Sequence, residues 1–156
     1  MIKQRWLVTR VLLGVATASA IAGSSAAAPP GSESVRVVSA ITAMYAALQT
    51  DNLSEYRKIV SPDFYAFDQG RRFDGDALAK KIQSLHASGY AFKWTVTQPD
   101  VHVLGDVAWV TYVNGGSIRN QSGESRMTWQ DSTVLERRDG QWRVRFLHSS
   151  PARPAG

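Results

Sequence analysis

The stretch from Ser125 to Ser150 constrains the fold of this chain more than any other part of the sequence. Two extended runs, SRMTWQDSTVLERR and QWRVRFLHSS, flank Asp139-Gly140. An Asp-Gly pair between two such runs is typical of a tight β-hairpin turn. In the second run one face carries Trp142, Val144, Phe146 and His148. The sequence therefore predicts a long antiparallel hairpin with one buried face that ends in a histidine.

The length of the hairpin turn decides which residue lies opposite His148. A two-residue turn, counted outward from Asp139-Gly140, places Asp131 opposite His148, so that a carboxylate and an imidazole share the buried face. A three-residue turn with a bulged glycine moves the pairing by one position and places Gln130 there instead. The sequence leaves both registers open.

The first 28 residues have the pattern of a secretory signal peptide. Lys3, Arg5 and Arg10 precede an apolar stretch from 11 to 23, and small residues follow from 24 to 28. The alternative is an uncleaved membrane anchor, but the apolar stretch is short for a span and contains polar residues. We therefore expect residues 1–28 to be removed and the mature protein to be periplasmic or secreted.

Removing those residues changes the charge of the chain. Residues 1–28 hold three of the 18 basic residues and none of the 13 acids, which leaves 15 bases, 13 acids and a net charge of +2. So small an excess gives little support to nucleic-acid binding, and we expect neither a nucleic-acid partner nor membrane contact beyond the signal peptide. The chain has no cysteine, so the core alone must stabilise it.

Three stretches before residue 90 have the spacing of helices. The first, from about 34 to 50, shows one apolar stripe that includes Met44. The second opens at Asn52, the first residue of a capping box, and stops before Pro62. The third is capped by Asp74 and ends at Gly89. We assign residues 29–33 to a linker, 34–151 to one domain and 152–156 to a tail.

The rest of the chain alternates as strands do. A short strand from 63 to 67 turns at Gln69-Gly70, and the strands after Tyr90 turn at Gly105-Asp106 and at 121–123. The Asn-Gly-Gly sequence at 114–116 predicts a bulge or bend inside a long strand. The expected fold class is α+β, with three N-terminal helices packed on a strongly curved antiparallel sheet.

Three segments within residues 35–151 resemble the NTF2-like superfamily, most closely its SnoaL-like and DUF4440-type branch. They are MYAALQTDNL at 44–53, SPDF at 61–64 and RRDGQWRVRFLHSS at 137–150. The resemblance implies a cone-shaped domain whose cavity lies between the concave sheet face and the helices. The superfamily includes ketosteroid isomerases, polyketide cyclases, dehydratases, epoxide hydrolases and pure binding modules, so this fold does not decide function.

A distant similarity to the ketosteroid isomerases implies positions for a candidate site. Asp68 takes the place of their catalytic carboxylate, and Asp131 falls near the second carboxyl of their oxyanion hole. Their oxyanion-hole tyrosine is replaced by Met44, while Tyr45 lies about 100° further round the helix. Because that chemistry needs both hydrogen-bond donors, the missing one leaves steroid isomerisation unsupported.

Each candidate also has a purely structural interpretation. Asp68 suits an ordinary turn, Asp131 could form a structural pair with His148 or Arg126, and His148 could be a core histidine. We keep Asp68, Asp131 and His148 as catalytic candidates. The candidates for ligand binding are aromatic or soft apolar side chains: Met44, Tyr45, Tyr65, Trp94, Trp109, Trp129 and Phe146. The three histidines lack metal-ligand spacing, so we expect no metal and no cofactor.

Three functions are consistent with these features. The first is the binding of a small, mainly apolar molecule in the cavity of an exported domain. The second is an isomerase, dehydratase or cyclase that moves a proton with Asp68 and an Asp131–His148 pair. The third is a non-catalytic dimerisation or interaction module. We also expect a homodimer formed by the outer sheet face, where Val110, Tyr112 and Leu147 would lie.

Overall fold

The computed structural model describes residues 30–152, and this part of the chain contains three helices and six strands. Their order is α1 (Pro30–Gln49), α2 (Leu53–Ile59), β1 (Val60–Asp68), β2 (Arg71–Asp74), α3 (Ala77–Ala87), β3 (Ala91–Leu104), β4 (Val107–Asn120), β5 (Gly123–Arg138) and β6 (Gln141–Pro151). The helices share a hydrophobic core with one face of the sheet, which confirms the α+β class. The predicted signal peptide lies outside the described residues. None of the described helices is long and apolar enough to span a membrane.

Helix α1 begins at Pro30, so residues 30–33 of the predicted linker are helical. Proline suits the first turn of a helix, where its missing N–H has no partner to lose. Glu33 lies in this first turn, and its Oε2 accepts a hydrogen bond from Trp142 Nε1 at 2.8 Å. This contact joins the start of the helix to β6, far along the chain, so the sequence pattern alone did not reveal it.

The other two helices follow local capping signals. Asn52 caps α2, because its side chain accepts the backbone N–H of Glu55 at 3.0 Å, as predicted. The predicted cap at Asp74 is wrong, because Asp74 is the last residue of β2 and α3 starts at Ala77. Gly89 follows α3 with a φ of 87°, which is the left-handed conformation expected just after a helix.

The strands form one sheet in the order β2-β1-β6-β5-β4-β3. Four of the five neighbouring pairs are antiparallel, as predicted, but β1 and β6 are parallel. Strand β2 was not predicted, since its sequence RRFD contains only one apolar residue and shows no alternation. The parallel pair brings the first strand beside the last, which no local pattern encodes.

The glycine pair in β4 serves a close approach of two strands rather than a bulge. The pairing of β4 with β3 and with β5 continues without a shift through residues 114–116, so the predicted bulge there is wrong. A Cβ atom on Gly116 would lie 1.8 Å from the backbone oxygen of Lys93. Only glycine fits at this position. The irregularity lies in β3 instead, where Gln98 has a φ of 52°.

The turn between β5 and β6 has two residues. Arg138 pairs with Gln141, and Asp139 and Gly140 have φ values of 51° and 73°. Two consecutive positive φ values match the twist of antiparallel strands and define this turn type. The two-residue turn, one of the two predicted alternatives, is therefore confirmed.

A bulge close to this turn reverses the predicted faces. Beyond Val144 the register of β6 shifts, and Arg145 is the extra residue. One extra residue exchanges the inward and outward positions of everything beyond it. Asp131 consequently pairs with Ser149, and His148 pairs with Ser132. The predicted Asp131–His148 pairing is wrong, and so is its Gln130 alternative, because neither allowed for a bulge within the strand.

The inner face of the sheet differs from expectation in β4 and β6. Val110, Tyr112 and Leu147 were expected on the outer face, but all three are buried in the core. Trp109, the residue just before Val110, takes an outward position and is 44% exposed. Both faces of β4 carry apolar side chains, so alternation alone did not indicate which one was buried.

Candidate functional site

A cavity of about 90 Å³ lies between α1, α3 and the inner face of the sheet. Its apolar wall consists of Leu48, Leu78, Ile82, Leu85, Phe92, Trp94, Ile118, Trp129 and Leu147. Its polar groups are Tyr45, Asp68, Gln69, Lys81, Asn114 and Ser149. Pockets for drug-sized ligands hold roughly 300–1,000 Å³, whereas a single water needs only about 10–15 Å³. The cavity therefore suits a small molecule.

Asp131 lies directly behind the buried end of this cavity, bonded to two residues of its wall, and is 2% exposed. It points inward from β5, as does its neighbour Thr133 two residues along the same face. Its Oδ2 accepts one hydrogen bond from Tyr45 Oη at 2.6 Å and another from Asn114 Nδ2 at 2.9 Å. Both donors belong to the cavity wall, and so does Ser149, which pairs with Asp131 across the sheet.

The hydroxyl groups behind Tyr45 form an ordered chain of donors. Tyr45 has a single hydroxyl proton, which it donates to the Asp131 carboxylate. Tyr112 lies 3.0 Å from Tyr45 and 3.1 Å from Thr133, oxygen to oxygen. Proton counting then makes Tyr112 the donor to Tyr45 and Thr133 the donor to Tyr112. Each bond in such a chain polarises the next and strengthens the bond that ends on the carboxylate.

Burial shifts the titration of the polar groups at this end of the cavity. Burial raises the pKa of Asp131, hydrogen bonds from Tyr45, Ser149 and Asn114 oppose that rise, and the negative charge of Asp68 adds to it. Burial also raises the pKa values of the Tyr45 and Tyr112 phenols, and the nearby Asp131 adds to both shifts. The two tyrosines therefore remain neutral hydrogen-bond donors across the physiological pH range.

Two buried oxygens at this end have no hydrogen-bond partner within residues 30–152: Asn114 Oδ1 and Asp131 Oδ1. The Ser149 hydroxyl is close enough to favour the Asp131 carboxylate, but it makes no hydrogen bond of standard geometry with Oδ1. Buried polar atoms are nearly always paired in folded proteins, with protein or with ordered water. The cavity thus presents unused acceptor capacity at its buried end.

A second carboxylate lies at the more exposed end. Asp68 ends β1 on the same face as Phe64 and Ala66, so its side chain faces the cavity. Lys81 of α3 donates to Asp68 Oδ2 at 3.0 Å. Asp68 therefore does more than occupy the turn that follows at Gln69-Gly70. Its lone pairs are partly engaged by the ammonium group, which any role as a base must overcome.

The third catalytic candidate, His148, lies on the other side of the sheet. Its side chain is exposed, and its ring centroid is 6.5 Å from that of Phe67. Tyr65 and Phe146 belong to the same outer cluster, with ring centroids 4.9 Å apart. His148 lies on this outer side because the bulge at Arg145 turns Phe146 and His148 outward.

The ligand-binding candidates divide in the same way. Tyr45, Trp94 and Trp129 line the cavity. Met44 is fully buried in the hydrophobic core next to the cavity wall rather than in it. Trp109 stacks on His102 at a centroid distance of 5.0 Å on the outer face, opposite to the cavity. Tyr65 and Phe146 form the outer cluster described above.

Sequence reasoning missed Asn114, Tyr112 and Lys81 as site residues. Asn114 was interpreted as part of a turn signal, although it continues the inward series of Val110 and Tyr112 at a spacing of two. That spacing was the available signal. Lys81 carried no signal, because a lysine on an amphipathic helix is usually solvated. In the described residues, no three or more His, Asp or Glu side chains are grouped to hold a metal ion.

The SnoaL-like domain family matches residues 37–154, and the chain belongs to that family. A candidate dehydratase of the NTF2-like family from Streptomyces avermitilis has 18% identity and a TM-score of 0.70, covering 80% of this chain and 99% of that one. The association domain of CaMKII from C. elegans has 20% identity and a TM-score of 0.64, covering 77% and 96%. An NTF2-like protein from Cytophaga hutchinsonii has 12% identity and a TM-score of 0.64, covering 77% and 98%. No curated protein matches the chain. The predicted superfamily is thereby confirmed, and these distant structures establish the fold alone.

Proposed function

We propose that this protein binds a small, mainly apolar molecule in the cavity between α1, α3 and the sheet. The observation that carries the proposal is the wall itself, in which most side chains are apolar and the few polar ones gather around Asp68 and Asp131. Ligand sites commonly combine an apolar wall with a few placed polar groups that orient the ligand. Trp94 and Trp129 supply flat surfaces suited to a ring.

A cavity-filling substitution tests this function. Leu85 lies on the wall in the last turn of α3, so Leu85→Trp should fill the cavity. Leu104→Trp is the matched control, since Leu104 is 74% exposed at the end of β3. Toluene binding, followed by chemical-shift changes in the protein, should be lost in the first variant and kept in the second. Equal binding by both variants would place the probe elsewhere and overturn the proposal.

A second candidate function is proton transfer on a small substrate, by an isomerase, dehydratase or cyclase. It is favoured by one observation: Asp68 is on the cavity wall and Asp131 is directly behind it, so two carboxylates approach one cavity. Asp68 would accept the proton after separating from Lys81, and the hydrogen-bonded group formed by Tyr45 and Asp131 would face the substrate's polar end. His148, on the outer face, has no part in this version.

Deuterium exchange distinguishes the second function from simple binding. A proton-transfer enzyme should exchange the α-hydrogens of a small cyclic ketone in D₂O, and Asp68→Asn should abolish the exchange. Exposed Asp100, 70% of whose side chain is accessible, supplies the control variant Asp100→Asn. A wild-type rate no higher than that of buffer alone for a series of ring sizes would exclude this chemistry for ketones.

Export and dimerisation also belong to this proposal. Export rests on the charged start, apolar centre and small residues of the first 28 positions. A homodimer through the outer sheet face is supported by exposed aromatic side chains there, among them Phe67 at 38% exposed. Intact mass of the secreted protein tests the first point, and Met1 in that mass would contradict it. Sedimentation tests the second, and a monomer at tens of micromolar would contradict it.

A further inference from the structure

The unpaired atoms at the buried end of the cavity are hydrogen-bond acceptors. Asn114 is 2% exposed and belongs to the cavity wall, and its Oδ1 has no partner in the described part of the chain. Asp131 Oδ1, directly behind that wall, is also buried without a hydrogen-bond partner among the described residues. Water can serve such atoms in the free protein, but a ligand that displaces the water must replace its hydrogen bonds. A ligand that complements this end of the cavity therefore carries a hydrogen-bond donor.

The donors that contact Asp131 are directed at its carboxylate. The Tyr45 hydroxyl proton goes to Asp131 Oδ2, and so does a proton of the Asn114 amide. A ligand carbonyl would have to compete with a carboxylate for these protons, and charged acceptors form the stronger hydrogen bonds. At this end of the cavity the unpaired oxygens therefore favour a ligand that donates over one that presents a carbonyl.

The charges around the cavity favour a donor that is positively charged. Asp131 and Asp68 are two carboxylates, and Lys81 supplies one ammonium. With all three ionised, the cavity carries one uncompensated negative charge. Asp68 and Asp131 also repel each other, which is one reason that the pKa of Asp131 is raised. A single positive charge on the ligand would neutralise the site and relieve this repulsion.

Aromatic rings line the same space. The ring of Tyr45 lies 5.6 Å from that of Trp94, and Phe92 stacks on Trp94 at 5.2 Å. Such faces attract a cation and also stack on a flat apolar group. We infer that the ligand is a small monocationic amine on an apolar, preferably aromatic, body, and that its ammonium group binds at Asn114 and Asp131. This inference rests on the proposed binding function and specifies its ligand class.

A series of four one-ring probes tests the inference on the wild-type protein. Benzylamine, benzyl alcohol, benzaldehyde and toluene share a body and differ in the group they present: an ammonium, a hydroxyl, a carbonyl or a methyl. At neutral pH benzylamine should bind about tenfold more tightly than the other three, which is the order of gain expected from charged hydrogen bonds.

Each other outcome of the series contradicts a definite claim. If toluene binds and benzylamine binds no more tightly, the inference is wrong while the binding function stands. If benzaldehyde or benzyl alcohol binds most tightly, the inference is wrong and the site selects a neutral polar group. If none of the four binds at millimolar concentration, both the inference and the binding function proposed for the cavity are wrong.

Charge-changing variants test whether the preference for benzylamine arises at Asp131. Asp131→Asn should remove the tenfold advantage of benzylamine but keep toluene binding, which also shows that the variant is folded. Lys81→Met leaves both carboxylates unopposed and should strengthen benzylamine binding several-fold. Lys81 is partly exposed, so folding should tolerate the change. Asp100→Asn, far from the cavity, should change neither affinity. A loss of benzylamine affinity in Lys81→Met, or an unchanged ratio in Asp131→Asn, would overturn the inference.

Discussion

Two carboxylates, Glu33 and Asp131, are buried where α1 packs on the sheet, and their partners differ in kind. Glu33 accepts from the Trp142 indole at 2.8 Å and from Arg36 at 2.9 Å, and Arg137 lies 3.6 Å away. Asp131 accepts from a phenol and an amide, and in the described residues no basic side chain is bonded to it.

The difference is consistent with a structural role for Glu33 and with the binding role that we propose for Asp131. Two guanidinium groups compensate the charge of Glu33, and its contacts tie the first turn of α1 to β5 and β6. Asp131 lies in a buried site with neutral donors and retains an unpaired oxygen. An isolated buried charge is unfavourable, and groups with perturbed pKa values are frequent at functional sites. The following measurements test this comparison.

The largest effect is expected for Glu33→Ala. The substitution leaves the Trp142 indole N–H without its acceptor and removes the anion between Arg36 and Arg137, so we expect a loss of about 2–3 kcal/mol in the free energy of unfolding. Urea denaturation measures it. Glu55→Ala is the control, because Glu55 forms an exposed pair with Lys58 and should cost less than about 0.5 kcal/mol. Equal effects of the two substitutions would contradict a structural role for Glu33.

A smaller loss is expected for Tyr45→Phe. The change removes the donor to Asp131 Oδ2 and the acceptor of Tyr112, so the free energy of unfolding should fall by about 1–2 kcal/mol at neutral pH. The pKa of Asp131 should rise further, since the Tyr45 hydrogen bond is one of the groups that lower it. Tyr65→Phe on the outer face is the matched control. A neutral result for Tyr45→Phe would show that the hydroxyl chain contributes nothing to stability.

The pH dependence of stability isolates Asp131 itself. Its pKa in the folded protein is raised above the ordinary value of 3.8, so the protonated form is favoured by folding. The contribution of Asp131 to the free energy of unfolding is therefore full below that ordinary value and is lost as the pH rises through the folded pKa. Between the ordinary pKa and the folded pKa, the free energy of unfolding of Asp131→Asn should rise relative to that of wild type. At higher pH the difference between the two proteins should stay constant. Asp63, Asp76 and Glu124 have lowered pKa values, so their effect on stability has the opposite sign, but it is the same in both proteins. A difference independent of pH would contradict the raised pKa.

The smallest effect on stability is expected for Asp68→Asn. Asp68 pairs with Lys81, whose side chain is 31% exposed, and pairs of this kind contribute about 0.5 kcal/mol or less. The free energy of unfolding should therefore change little, although the charge of the cavity changes. Urea denaturation checks this expectation. A loss above about 1 kcal/mol would mean that Asp68, like Glu33, is a structural carboxylate.

Much of the secondary structure could be predicted because it depends on neighbours along the chain. The cap at Asn52, the helix end at Gly89 and the two-residue turn at Asp139-Gly140 all use backbone groups or φ angles within a few residues. The α+β class followed from the order of such elements. Among the residues proposed from the sequence, Asp68, Tyr45, Trp94 and Trp129 lie at the cavity wall, and their roles stay predictions.

The rest depended on contacts between distant residues. One bulged residue, Arg145, exchanged the inward and outward faces of β6 beyond it. The register implied by the turn therefore does not hold at Asp131 and His148. The partners of Asp131 come from α1 and β4, and only the packing of those elements shows that Tyr45 and Asn114 share one of its oxygens. Sequence was enough to predict the turn at Asp139-Gly140, the cap at Asn52 and the order of the helices and longer strands, because short-range backbone geometry encodes them. Tertiary structure alone decided which face of β6 is buried and which carboxylate lacks a charged partner, because burial and hydrogen bonding there depend on strands and a helix far apart in the chain.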